Sequence, residues 1–292
     1  MNGRSKVKIQ KSAYLYVLPA LLASLLFVAY PLLQTFWYSF FQWSGVGPAV
    51  WVGLDNYIQQ LTSPRIQSAL IHSFILIIFF AIIPVSLGLI SASMLSSSRL
   101  RGLGFFRTVL FLPQVIALTV TGMAWKWMYN LDGPINEILR AVGLGSLARA
   151  WLGDFDWALP AIGIVGTWLT AGFCMILFLA GISRIDPGLY DAAKIDGAGP
   201  VREFFTVTLP GVKPELGVAL TITVIGGLKS FDVVYMTTMG GPGTSTTVPA
   251  LEIYRLAFID GQVGGAAAIA VVLVILIAVI GLSMTRAFRT TK

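Results

Sequence analysis

The chain has 292 residues, of which 56% are hydrophobic and only 11% are charged, and its net charge is +7. A soluble domain carries about 25% charged residues and needs them on its surface, so the composition excludes an ordinary soluble protein and indicates lipid as the solvent. The single histidine, His72, and the single cysteine, Cys174, exclude a disulfide within the chain and argue against a zinc site, so no metal and no cofactor is expected.

Six apolar runs are long enough to cross the membrane, since about 30 Å of hydrocarbon takes roughly 20 helical residues. Helices are the expected form because backbone polar groups in lipid must be satisfied within the segment. The predicted fold is therefore all-α, a polytopic membrane protein with six transmembrane helices in one domain over residues 13–288. The predicted spans are 13–41, 68–95, 105–125, 157–182, 216–236 and 264–285, with tails at 1–12 and 289–292.

The positions of lysine and arginine predict the orientation of these spans. Four lie before the first span, three between the second and third, four between the fourth and fifth, and three after the sixth, which makes 14 of the 20. Because cytoplasmic loops carry the excess of Lys and Arg, both termini are predicted to be cytoplasmic, in a bacterial or archaeal cytoplasmic membrane. The positive charge thus reports topology, and no nucleic-acid partner is expected.

Prolines occur within or near the ends of several predicted spans, at Pro19, Pro31, Pro84 and Pro113. Each removes a helical hydrogen bond unless neighbouring groups compensate. Two interpretations remain open, either ordinary helix packing in a membrane or kinks that let the bundle rock between two shapes.

The connection between the fourth and fifth spans is long and charged, which suggests a docking surface outside the bilayer. Asp186-Pro187 predicts a helix start; Gly197 predicts its left-handed end, and Gly199-Pro200 prevents continuation. A second short helix is predicted from Val201 to Val207, ending before Pro210. Helices this short are unstable alone in water, so neighbours or a partner must hold them.

This segment resembles the EAA loop of the membrane subunits of bacterial ABC importers: Glu-Ala-Ala, three residues, Gly, and a later Leu-Pro. Here the pattern reads Asp191-Ala192-Ala193, Gly197 and Leu209-Pro210, with aspartate in place of the leading glutamate. The resemblance implies that residues 186–210 are a coupling segment whose short helix seats in a cleft of a cytoplasmic ATPase. The alternative is an ordinary amphipathic connector. The implied ATPase-coupling residues are Asp191, Ala192, Ala193, Asp196, Gly197, Ala198, Leu209 and Pro210.

Two further segments are similar to the carbohydrate-uptake branch of that family, which includes the larger permease of the maltose importer. They are Gly166-Thr167-Trp168-Leu169-Thr170 and residues 231–243, and a short amphipathic helix is predicted from Pro249 to Phe258. Packing is the alternative role for the aromatic residues of the fourth span. The substrate-path residues implied by the resemblance are Trp168, Leu169, Thr170, Phe173, Thr223, Gly227, Ser230 and Asp232.

Lys229 and Asp232 lie three residues apart near the outer end of the predicted fifth span. This spacing predicts that they share a helix face and can pair. Whether the two side chains form only a structural pair or face a ligand is left open by the sequence.

The resemblance implies a permease subunit of an ATP-driven sugar importer that forms half of the translocation pathway. Its implied partners are a second, similar permease, two cytoplasmic ATPase subunits, an extracytoplasmic solute-binding protein and the sugar. The chain has no G-x-x-x-x-G-K-[ST] loop, so it is not expected to be an enzyme. The alternatives are an ABC permease for a non-sugar solute and an ion-coupled carrier; nearly all charges lie outside the predicted spans, which argues against the carrier.

Overall fold

A computed structural model describes residues 11–97 and 102–288 of the chain. The first ten residues of the predicted N-terminal tail, the predicted C-terminal tail 289–292, and the basic residues Arg99 and Arg101 lie outside the described residues.

The described chain is mostly helical, as the apolar runs predict. One small antiparallel hairpin interrupts it, where β1 (Phe41–Gln42) pairs with β2 (Val50–Trp51) and Phe41 lies opposite Trp51. The α-helices are α1 Lys11–Ser24, α2 Tyr30–Tyr38, α3 Asp55–Thr62, α4 Pro64–Ile77, α5 Ile83–Ser97, α6 Leu103–Phe111, α7 Leu118–Met128, α8 Pro134–Ala141, α9 Ala158–Ile182, α10 Pro187–Ile195, α11 Pro200–Glu203, α12 Leu209–Gly211, α13 Lys213–Leu228, α14 Asp232–Thr237, α15 Pro249–Phe258 and α16 Val263–Ala287.

Some of these helices continue directly into short segments of π-helix, which is wider than an α-helix, or of 3-10 helix, which is narrower. Five-residue π turns at Leu25–Ala29, Ile78–Ile82 and Phe204–Thr208 join α1 to α2, α4 to α5 and α11 to α12. Short 3-10 helices lie at Leu112–Val115, directly after α6, and at Gly145–Leu147.

Four helical segments in the described residues are long and apolar enough to cross a membrane, and two bent pairs bring the number to six if each pair is one span. The four are Tyr16–Tyr38, Pro64–Ser96, Ala158–Ile182 and Val263–Ala287. The four segments and the first bent pair overlap five of the predicted apolar runs closely. The second bent pair, Pro200–Gly211 with Lys213–Leu228, shares only residues 216–228 with the predicted run 216–236, and the membrane spans stay a prediction.

The third predicted span, 105–125, is not one straight helix. Ile116 and Ala117 adopt extended ψ angles of 134° and 133°, and the helical arms on either side make an angle of 100°. Pro113, which cannot donate a backbone hydrogen bond, lies in the 3-10 turn just before this break. Hydropathy does not reveal the bend because both arms are apolar.

The fifth predicted span, 216–236, is also interrupted. Helix α13 ends at Leu228, Phe231 adopts φ −133° and ψ −59°, and α14 begins at Asp232. Lys229 and Asp232 therefore do not share a helix face, and no ion pair joins them among the residues that the structure describes. The predicted pairing is wrong because the helix ends between the two residues.

The second short helix of the 186–210 connection runs farther than predicted. Helical structure continues from Pro200 to Gly211, through Pro210, at an angle of 72° to α13. The π turn Phe204–Thr208 contains Thr206, the residue whose carbonyl the Pro210 ring would meet in a regular α-helix. The wider turn thus lets the helix pass the proline instead of ending before it.

Helix α9 lies at the centre of the bundle and packs along α5 and the π turn Ile78–Ile82. Its buried side chains join two apolar clusters, one around Ile162 and Phe80 and one around Met175 and Phe178. By contrast, no residue in the most apolar stretch of the segment Tyr16–Tyr38 is buried within the chain. The first segment is therefore peripheral, and its apolar side chains are free to contact lipid or another subunit.

Candidate functional site

The short helix α10 has well-defined ends. Asp186 caps its N-terminus by accepting a 2.9 Å hydrogen bond from Gly188 N. At the other end Gly197 has φ +77°, Gly197 N donates to Lys194 O and Ala198 N donates to Ala193 O, at 3.0 and 2.9 Å. This pair of bonds is the Schellman motif, which satisfies the last carbonyl groups of a helix. The predicted start and the predicted left-handed stop are both confirmed.

The surface of the coupling segment combines charge with exposed apolar side chains. Ile195 is 86% exposed, and Leu189, Val201 and Phe205 are exposed as well. Asp191 Oδ1 lies 4.0 Å from Lys194 Nζ, with both side chains mostly in solvent. Such exposed apolar groups beside charges are typical of a surface that a protein partner covers.

The predicted coupling residues fall into two groups. Asp191, Ala192, Asp196, Gly197 and Pro210 are exposed, whereas Ala193 and Ala198 are half-buried. Leu209 packs against the apolar cluster around Phe178. Leu209 thus holds the segment on the bundle and does not belong to its outer surface.

Three contacts lie within the coupling segment or directly beside it. Tyr190 Oη and Thr208 Oγ1 lie 3.2 Å apart, and Thr208 is buried. Ile185 and Leu209 pack on the same apolar cluster, and the Arg184 guanidinium pairs with the carboxylate of Glu215, which is 8% exposed. The segment thus packs on the bundle at Leu209, and an ion pair joins the helices on either side of it, α9 and α13.

Sequence reasoning missed this ion pair and the exposed apolar group. The sequence does carry a signal for the exposed apolar group, because Leu, Ile, Val and Phe recur in a segment otherwise rich in charge, glycine and proline. The pair between Arg184 and Glu215 has no such signal, since the two residues are 31 positions apart and meet only when α9 and α13 pack.

Trp168 lines a cavity of about 350 Å³ between α5, α6 and α9. The indole is 39% exposed and makes an edge contact with Trp125, with ring centroids 5.5 Å apart. Trp125 in turn packs on Tyr129 at 5.2 Å, and Tyr129 Oη donates to Ala161 O at 3.1 Å. Burial raises the pKa of the Tyr129 phenol, so it keeps its proton and holds the aromatic group in place.

Other residues predicted to line a substrate path are turned into the bundle. Leu169, Thr223, Gly227 and Ser230 are buried, and Thr223 Oγ1 donates to Ala219 O at 2.8 Å. Within this chain these four contribute to packing. Phe173 is half-buried against the cluster around Met175 and Phe178, and Asp232 is half-buried at the first residue of α14.

Thr170 and its neighbour Thr167 have a structural partner. Thr167 Oγ1 donates to Phe79 O at 2.6 Å, and Thr170 Oγ1 lies 3.3 Å from Phe80 O and 2.8 Å from Gly166 O. Both phenylalanine carbonyls belong to the π turn Ile78–Ile82, and Pro84 has no N–H to offer Phe80 O. The two threonines therefore compensate for the proline.

Sequence reasoning also missed a polar network that joins α4 to α15, at the end of the molecule opposite to the coupling segment. Glu252 of α15, which is almost fully buried, lies 2.7 Å from Arg65 Nε and accepts a 2.5 Å hydrogen bond from Thr247 Oγ1. His72 Nδ1 lies 2.9 Å from Thr247 O. Helix α15 has the predicted bounds, Pro249–Phe258, and these contacts anchor it to α4.

A helical bundle in which four to six segments are long and apolar enough to cross a membrane is typical of a polytopic membrane protein. The chain belongs to the family of binding-protein-dependent transport system inner membrane components, whose model matches residues 85–290. The chain is therefore a multi-pass component of a membrane transport system.

Curated relatives match nearly the whole chain. It is 36% identical over 282 residues to the probable ABC transporter permease protein YurN of Bacillus subtilis, covering 96% of both chains. It is 34% identical over 296 residues to the lactose transport system permease protein LacF of Rhizobium radiobacter, covering 100% of this chain and 99% of the other. The trehalose/maltose transport system permease protein MalF of Thermococcus litoralis is 34% identical, with 95% and 93% covered.

Solved structures share the fold. A chain from a bacterial ABC transporter that imports the acidic polysaccharide alginate superposes with a TM-score of 0.82 at 24% identity, covering 96% of each chain. A chain of the MetNI methionine ABC transporter matches with a TM-score of 0.55 at 21% identity, covering 80% of this chain and 96% of the other. The predicted ABC importer permease fold is confirmed.

Proposed function

We propose that the chain is the permease subunit of an ATP-driven sugar importer and forms half of the translocation pathway. Relatives named for lactose and for trehalose/maltose transport support the choice of a sugar. ATP hydrolysis belongs to two cytoplasmic ATPase subunits, and a second, similar permease supplies the other wall of the pathway. An extracytoplasmic solute-binding protein delivers the sugar, and both termini lie in the cytoplasm.

The observation that carries this proposal is the combination of exposure and anchoring at the coupling segment. Helix α10 presents Ile195 to solvent, while Tyr190 holds it to the buried Thr208 and Arg184 joins the ends of α9 and α13 on either side of the segment. A partner that grips the exposed side of such a segment moves the helices attached to it.

The mechanism we propose is alternating access. Closure of the ATPase dimer on ATP displaces α10, and the anchors carry this displacement to α9 and α13. A ligand shifts such an equilibrium only by its different affinity for the two states, so the energy comes from tighter binding of ATP to the closed dimer. The sugar passes beside Trp168, whose indole offers an apolar face for a sugar ring.

Replacing Ile195 by Asp tests the coupling function directly. The substitution puts a charge on a side chain that is 86% exposed in the chain alone, so folding and insertion are expected to be unchanged. In a contact with an ATPase, the same carboxylate would be buried without a partner, which costs several kcal/mol. ATP-driven uptake of radiolabelled lactose or trehalose into proteoliposomes, and recovery of the ATPase with the purified chain, are expected to fall at least tenfold.

Ile259→Asp is the matched control. Ile259 is also exposed but follows α15, at the other end of the bundle, and the variant is expected to assemble and transport normally. Normal uptake by Ile195→Asp contradicts the coupling assignment. Uptake that follows an imposed ion gradient without ATP supports the ion-coupled carrier instead.

A further inference from the structure

A polar cavity of about 580 Å³ lies between the β1–β2 hairpin, α3 and the start of α16. It is larger than the cavity at Trp168 and falls in the range of small-molecule sites, about 300–1,000 Å³. The hairpin connects the first two predicted spans and α16 is the last, so the predicted topology puts the cavity on the outer face, far in the chain from the coupling segment.

The side chains around this cavity are those that recognise hydroxyl groups. Three glutamines and one aspartate converge on it, and the structure gives their side chains no hydrogen-bond partner among the described residues. Each carboxamide offers two donors and an acceptor, and the carboxylate offers acceptors. The four residues are Gln42, Gln59, Gln262 and Asp55.

The wall that carries these groups is held in a fixed shape. Asn56, which is buried, donates to Ser39 O and Phe41 O at 2.9 Å each, which ties α3 to the start of the hairpin. Trp43 lines the cavity, stacks on Tyr38 with ring centroids 4.4 Å apart, and donates through Nε1 to Gly47 O. The fixed indole avoids part of the ordering cost of binding, whereas the exposed glutamine side chains become ordered only when a ligand binds.

We propose that this outer cavity is a binding site for a neutral saccharide of about disaccharide size. Amides and a carboxylate pair with sugar hydroxyls, and the apolar C–H face of a sugar ring packs on an indole. The inference rests on the proposed function for the class of solute. The outer cavity has the amide groups that the predicted path lacks, since residues 166–236 contain no Asn or Gln. The proposed site would capture the sugar outside the membrane.

The test is saturation-transfer NMR on the full chain in lipid nanodiscs prepared without sugar-based detergents, whose head groups would compete. The probes are maltose, lactose and trehalose, because recognition of hydroxyls in an open cavity discriminates weakly among such sugars. We expect binding of at least one probe. The double variant Gln59→Ala, Gln262→Ala is expected to raise its Kd at least tenfold, since it removes two sets of hydrogen bonds.

The matched control is Ile58→Ala, Ile259→Ala, which truncates exposed neighbours that do not line the cavity and is expected to bind as the parent does. Asp55→Asn, a near-isosteric change, is expected to weaken binding with the fold intact.

Two results would overturn the site: no saturation transfer from any probe, or an unchanged Kd in the glutamine double variant. ATP-driven uptake by the complete transporter separates this failure from failure of the proposed function. Sugar uptake that persists without binding at the cavity removes only the outer site, whereas absence of sugar uptake removes the function itself.

Discussion

Gly197 ends α10 with φ +77°, in the left-handed region that residues with a Cβ rarely adopt. No atom lies within 4 Å of the position that a Cβ would take, so the backbone angle, and not lack of space, requires glycine there. A β-branched residue would cost at least about 1–2 kcal/mol in this conformation. The cost is enough to unwind the last turn and move the exposed side chain of Ile195.

Gly197→Val is therefore expected to lower ATP-driven uptake at least tenfold while the chain still inserts. Gly199→Val provides the control, because Gly199 has φ −76° and open space around its Cβ position. Uptake into proteoliposomes, normalised to the amount of inserted chain, measures both. Equal uptake by the two variants would mean that the shape of this turn has no part in coupling.

Individual residues also explain what the sequence allowed us to predict at α10. The cap Asp186, the first-turn Pro187 and the stop Gly197 act through their own backbone or the next two residues, so their effects are local. The role of Thr170 depends on a carbonyl 90 positions away. The sequence of α9 alone is equally compatible with Thr170 contacting a substrate and with Thr170 bonding within the bundle. Only the packing of α9 against Phe80 decides between these two roles.

At the scale of the elements, the three π turns share one arrangement with proline. Each ends two residues before a proline, Pro31, Pro84 or Pro210. The residue directly before each proline donates to the carbonyl five residues back, as Ile83 N does to Ile78 O. Hydropathy shows only an apolar run that contains a proline, which is why the sequence indicated a lost helical hydrogen bond at Pro31 and Pro84 but not the wide turns.

The same reasoning explains why the breaks in the third and fifth predicted spans escaped prediction. Ile116-Ala117 and Lys229-Ser230-Phe231 lie between helical arms that are themselves apolar. The conformation of these few residues depends on what the arms pack against, as α14 packs on α7 and α9. Sequence length and composition therefore gave six runs but not their shapes.

Thr167→Val tests the compensation for Pro84. The valine has nearly the same volume but leaves Phe79 O without its 2.6 Å donor, and an unsatisfied carbonyl between helices costs about 1 kcal/mol. The expected result is a lower free energy of unfolding in mild denaturing detergent. Thr108→Val is the control, because its hydroxyl bonds only Gly104 O in its own helix. An equal decrease in the free energy of unfolding in both variants would show that Thr167 does not compensate for Pro84.

At the scale of the whole molecule, one ion pair joins the two points of the bundle between which the coupling segment runs. Arg184 follows α9 and Glu215 opens α13, so their contact joins the two helices on either side of that segment. The arginine is largely exposed while the carboxylate is buried. Removing the arginine alone leaves a buried charge, whereas removing both charges leaves none.

Three variants separate stability from coupling at this pair. Arg184→Gln is expected to lower thermal stability more than Glu215→Gln, and the double variant Arg184→Gln, Glu215→Gln is expected to recover most of that loss. If the pair transmits the motion of α10, the double variant still hydrolyses more ATP per sugar imported than the parent. Arg255→Gln is the control, since Arg255 Nε, in the last turn of α15, lies 3.7 Å from the carboxylate of Asp260 in an exposed pair. A double variant with the parent's ratio of ATP to sugar would reduce this contact to a structural one, and the transmission would then rest on Tyr190 and the apolar cluster beneath Leu209.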